Sequence, residues 1–176
     1  MNMLILGIGN VLMGDEGVGV HAINYLEKEM APADESIHFL DGGTGGFHLL
    51  EYLQDYSTVI MIDATMDGQP AGTVKVIKPR FSTDYPKTLS AHDIGLKDLV
   101  ESAALLNHYP EIFLITVAIS EIQNMEIHLS DPVESALPEI HSQIKSLLQG
   151  PLESETGISF KCTSLPMNNV FTELSP

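Results

Sequence analysis

Tryptophan is absent, cysteine occurs once, and cationic side chains are scarce: 8 Lys and Arg face 24 Asp and Glu, a formal net charge of −16 over 176 residues. Each shortage excludes something. A lone Cys162 cannot close a disulfide within the chain, and no evident base stands near it in sequence to support a thiol mechanism. The negative field repels a phosphate backbone and an anionic lipid surface, so neither nucleic acid nor membrane is expected as a partner. A cation or a basic protein is the electrostatically sensible visitor. No apolar run approaches the roughly 18 residues of a membrane span, and no basic segment leads into a long apolar one at the start. A cytoplasmic location is therefore expected. Aromatic residues make up only 6% of the chain against 44% hydrophobic overall, so the core must be aliphatic, and the length suits one domain.

What is present is a series of short apolar runs closed by glycine and acid. Met3-Leu4-Ile5-Leu6 ends in Gly7-Ile8-Gly9-Asn10, and Val18, Ala22, Ile23 and Leu26 then recur at helical spacing over about 17–30. Ile37-His38-Phe39-Leu40 ends in Asp41-Gly42-Gly43-Thr44-Gly45-Gly46, with a short helix marked by Phe47, Leu50 and Leu53. Thr58–Ile62 ends at Asp63. Strands this apolar belong to a parallel sheet covered on both faces. Val74–Ile77 follows a turn without an intervening helix, which suits a hairpin-like antiparallel edge. Ser90-Ala91-His92-Asp93 has a capping-box shape and opens a third helix through Ala103. Ile112–Val117 reads as a fifth strand, and Asp131-Pro132 starts a last helix that Pro138 should kink or split. The expected fold is a three-layer α/β/α sandwich with a mostly parallel five-stranded sheet and one antiparallel edge strand, over residues 1–149. Residues 150–176 read as a loosely packed tail, or as an added edge strand through Ile158, Phe160 and Cys162.

The glycine turn after the first strand is not a dinucleotide site. A third glycine is required at position 12, where Leu12 stands, and Asp15 and Glu16 put negative charge where a pyrophosphate would lie. No Gly-Lys-Ser/Thr, His-Glu-x-x-His or Gly-x-Ser-x-Gly occurs. Instead Asp15, Glu16, Asp41 and Asp63 all fall at the carboxyl ends of strands, where open α/β sheets bind ligands. Four acids on one rim repel each other unless a cation is present or some are protonated. Asp15, one residue before the helix, is best placed to cap it. For Glu16 and Asp63 ligation is favoured over capping, and His92 is the natural nitrogen partner, since the helix dipole at its first turn favours the neutral imidazole; the alternative for a lone histidine is a surface or hydrogen-bonded role. Two carboxylates and an imidazole suit nickel, zinc or iron. His48 and Glu51 form a second, weaker pair.

The stretch Gly7–Gly19, the Asp41–Gly46 turn, the strand ending Ile62-Asp63-Ala64 and Ser90–Leu96 together resemble, in order, the motifs of the hydrogenase maturation endopeptidases. The resemblance covers about residues 3 to 148. It implies an endopeptidase that removes a short C-terminal peptide from a nickel-iron hydrogenase large-subunit precursor after nickel insertion. The family's metal-contacting acid, acid and histidine fall on Glu16, Asp63 and His92. The nickel would arrive with the precursor, and zinc or cadmium could replace it in a crystal. With no serine, cysteine or paired-aspartate nucleophile implied, water would be activated by the metal or by an acid such as Asp41 or Asp15. A monomer is expected. The competing expectations are a metal-binding chaperone that docks on the precursor without cutting it, and a metal-independent small-molecule hydrolase.

Overall fold

The computed structural model describes residues 2–30, 36–79, 101–102 and 110–149. The expected third helix, His92 with it, and the 150–176 tail lie outside these residues, apart from a helical Glu101 and Ser102. Strands β1 (Met3–Gly7), β2 (Ile37–Asp41), β3 (Thr58–Thr65), β4 (Val74–Ile77) and β5 (Glu111–Ala118) form one sheet in the order β2-β1-β3-β5-β4. All neighbours are parallel except β4 on β5. The antiparallel edge strand is thus present, but it is not a hairpin with β3. β5 inserts between the two, because the long apolar β5 can pair along the whole of β3 from Thr58↔Glu111 to Thr65↔Ala118, whereas β4 is half-buried and short.

The pleat sends alternate side chains to two separate cores. One face carries Ile5, Ile60, Ile62, Ile115 and Val117, covered by helix α1 (Val18–Glu29) and by α4 (Leu137–Gln149). The other carries Leu4, Leu6, Val59, Met61 and Leu114, closed by Leu49 and by Leu53 of helix α2 (Leu50–Asp55). The last helix is split into α3 (Asp131–Glu134) and α4, as Pro138 requires. Proline has no N–H to give the carbonyl four residues back, so the helix ends before it and restarts with Pro138 in the new first turn. Asp63 differs from expectation in position. It lies inside β3 rather than at its end, paired opposite Thr116, because β5 carries the ladder on to Thr65. Among the described residues no helix is long and apolar enough to cross a membrane.

Candidate functional site

The loop after β1 is shaped by backbone lying on backbone. A Cβ on Gly9 would stand 2.1 Å from the Glu16 carbonyl oxygen, and one on Gly19 would stand 2.2 Å from Ile8 O and 2.3 Å from Ile62 O. Only glycine leaves room for such approach. The chain therefore doubles back through a 3-10 turn, Gly14–Gly17, and seats the start of α1 directly on β1 and β3. The consequence is chemical. Glu16 is delivered, buried, beside the carboxyl half of β3, and its Oε2 accepts a hydrogen bond from the Asn10 N–H.

Asp63 is buried in β3, and its Oδ1 accepts from the Ala64 N–H at 2.8 Å. Burial pushes its carboxyl up from 3.8 to about 8; the Ala64 amide pulls against this, and the Glu16 charge adds to the rise. The two acids the sequence nominated as ligands are therefore brought within electrostatic reach of each other, in a place water barely enters. Burial, with the Glu16 charge added, thus favours the protonated form of Asp63. A cation could take that proton's place, and oxygen donors of this kind fit a divalent ion. Among the described residues no three of His, Cys, Asp and Glu gather at metal-binding distance. His92, the proposed third ligand, lies outside the described residues. His48 and Glu51 are both exposed on the 3-10 turn and helix after β2.

Asp15 and Asp41 have different settings. Asp15 is fully buried but does not cap the helix that follows. Its carboxylate instead reaches across the chain: Oδ1 accepts from Ser130 N at 2.7 Å, and Oδ2 accepts from Ser130 Oγ at 2.7 Å and Gln123 Nε2 at 3.0 Å. Gln123 Oε1 in turn accepts from Asp15 N. Asp15 is thus a clasp between the Glu16 loop and residues 119–130. Asp41 ends β2 in the row of Gly7 and Ile62, one residue short of Asp63, and by the pleat on the alternate face. It is exposed, and its Oδ1 accepts from the Gly43 N–H at 2.8 Å. The clasp partners Gln123 and Ser130, and the Asn10 amide on Glu16, were not singled out from sequence. Only Ser130 left a trace there, as the residue before Asp131-Pro132 where a helix begins.

The family model for hydrogenase maturation proteases matches residues 20–147. That decides the family. The chain belongs to the hydrogenase maturation protease family. A hydrogenase expression/formation protein, HupM, of Azotobacter chroococcum is 36% identical over 141 residues, 77% of this chain and 66% of its own length. The chain therefore matches just under two thirds of that relative. Among solved structures, the hydrogenase maturating endopeptidase HybD of Escherichia coli superposes with a TM-score of 0.73 at 27% identity, over 89% of this chain and 94% of that one. The [NiFe] hydrogenase maturation protease HybD of Thermococcus kodakarensis gives 0.68 at 26% identity, over 84% and 99%. The mixed sheet, mostly parallel with one antiparallel pair, is thus the maturation protease fold.

Proposed function

We propose that this chain is an endopeptidase that removes the C-terminal peptide of a nickel-iron hydrogenase large-subunit precursor in the cytoplasm, after the precursor has received its nickel. Glu16, Asp63 and His92 would grip that nickel as part of the substrate and so hold the scissile bond over the carboxyl edge of the sheet. The observation that carries this reading is the meeting of two buried carboxylates, Glu16 and Asp63, with Asp63 pushed up to about 8 by burial and by its neighbour's charge. Such a pair relinquishes its proton to a divalent cation more readily than to solvent. Water activation falls better to Asp41 than to Asp15. Asp41 is exposed with Oδ1 alone engaged, whereas both oxygens of Asp15 are filled by Ser130 and Gln123. A general base must still be able to accept a proton.

The test is mass analysis of nickel-loaded precursor after incubation with the protein. A shortened precursor is expected, with His92→Ala leaving it uncut. A full-length precursor that remains bound would favour a docking chaperone, and wild-type turnover by the His92→Ala variant would remove the histidine from the grip.

A further inference from the structure

Of the six large hydrophobic residues exposed among the described residues, all but Tyr52 sit on loops leaving the carboxyl ends of β1, β3 and β5. Three of these, Leu12 at 53% exposed, Met125 at 87% and Ile127 at 54%, are brought side by side. Met13 and Glu126 form an isolated parallel bridge, with Gly14 N donating to Glu126 O at 2.7 Å, so the residues flanking Met13 and Glu126 line one ribbon. Scattered exposed hydrophobics are ordinary on any protein; a cluster on one rim is not.

The ribbon is held rigidly in this display. Met125 has φ 59, a left-handed backbone that a side-chain-bearing residue adopts only under constraint. The constraint is visible on both sides of it. Glu126 Oε1 accepts from Ile127 N and His128 N, each at 3.0 Å, and the Asp15 clasp fixes Gln123 and Ser130. A flexible apolar side chain is thereby kept in water at a conformational cost. The same ribbon is continuous with the acid pair. Asn10, whose N–H holds Glu16, also accepts from Leu12 N through its Oδ1 at 3.0 Å.

We propose that Leu12, Met125 and Ile127 form a docking ledge for an extended apolar segment of the precursor polypeptide, flanked by basic residues. This rests on the reading given under Proposed function. Leu12 is linked through Asn10 to the Glu16 carboxylate, so the natural occupant of the ledge is the chain that carries the metal. The basic flanks follow from the net charge of −16 and from the exposed Glu121 carboxylate on the same loop. Methionine suits the task because its unbranched, polarizable side chain adapts to the groups it meets.

The test combines binding and cleavage on the full chain, with nickel-loaded precursor as the probe. In the combined variant Leu12→Ser, Met125→Ser and Ile127→Ser, KM and the Kd for the precursor should rise about tenfold or more, with kcat within about twofold of wild type. Tyr52→Ser, an exposed hydrophobic away from the ledge, should leave Kd unchanged. Met125→Gly separates docking from folding, because glycine accepts φ 59 without strain: its Tm should rise while precursor affinity falls. If the wild-type protein cuts the precursor and the ledge variants bind and cut equally well, the ledge is refuted and the endopeptidase reading stands. If the wild type binds without cutting and the ledge variants lose binding, the endopeptidase reading fails and the ledge survives. Should the triple variant change only the protein's own mass in solution, the patch is a contact between copies, and the proposal falls.

Discussion

Two glycine-rich loops meet at the carboxyl edge of the sheet, and glycine serves opposite ends in them. In the first, between Gly7 and Gly19, crowding dominates at Gly7, Gly9 and Gly19, where a Cβ would fall within 2.3 Å of backbone oxygen, although Gly9 and Gly14 also have positive φ. In the second, Asp41 to Gly46, it is needed because the backbone turns left-handed. Gly43 has φ 54 and Gly45 has φ 79, and a Cβ on Gly43 would meet nothing within 4 Å. The first loop is a fixed block that carries Glu16. The second is an open hairpin of turns, pinned by Gly42 N to Gly7 O, by Gly9 N to Gly43 O and by the Asp41 carboxylate on Gly43. A grip built on the first can be stiff. The accessible carboxylate of the two loops, Asp41, belongs to the second.

Mutations can break this contrast. The largest effect is expected at the grip: Glu16→Gln or Asp63→Asn should lower precursor cleavage by at least about 100-fold, read as loss of shortened product. Asp63→Asn carries a second signature in the protein free of nickel. An acid whose carboxyl is raised from 3.8 to about 8 binds a proton in the folded chain that the unfolded chain releases. Its share of stability is thus present at low pH and is lost as pH rises through that window. Urea melts of the wild type should show this fall, and Asp63→Asn should flatten it; a slope unchanged by the substitution would contradict the assignment. Next in size, Gly19→Ala should cost about 3 kcal/mol or prevent folding, since the start of α1 would have to lift off the backbone of Ile8 and Ile62 to admit the methyl group.

Asp15→Ala is expected to cost about 2 kcal/mol by leaving the Ser130 and Gln123 donors unpaired, in denaturant melts. Asp41→Asn should do the reverse, holding stability within about 0.5 kcal/mol while lowering kcat about 100-fold or more. Equal behaviour of these two variants would erase the distinction drawn between them. The smallest effect is at the open turn: Gly43→Ala should cost about 1 kcal/mol from the left-handed backbone alone, because no neighbour is displaced.

The succession of the described strands along the chain, and the parallel run of the first three, were legible because burial on both faces demands unbroken apolar runs, as in Leu4-Ile5-Leu6 of β1 and Val59-Ile60-Met61-Ile62 of β3. Pro138 likewise announced the break between the last two helices. The meeting of Glu16 with Asp63 could be inferred from the rule that parallel strands gather their carboxyl ends, although neither distance nor burial could. Asp15 misled because its partners lie 108 and 115 residues away, at Gln123 and Ser130. Local position suggested a cap, and a longer-range clasp prevailed since it satisfies both oxygens at once. The partner of β4 was missed for a similar reason: adjacency along the chain favoured β3, while the length of matching apolar ladder favoured β5.

The sheet's carboxyl edge is uneven, and the acid pair is a product of that unevenness. β1 falls silent at the row where Gly7 faces Ile62, whereas β3 and β5 continue together for three more residues, an overhang of roughly 10 Å. Asp63 is the first residue of the overhang: it has a strand for company on the Thr116 side, and beyond β1's end it has the folded-back loop bearing Glu16. Had β1 run as far as its neighbour, peptide backbone would occupy the ground where Glu16 now stands. A mismatch in strand length makes the room in which the two buried acids meet.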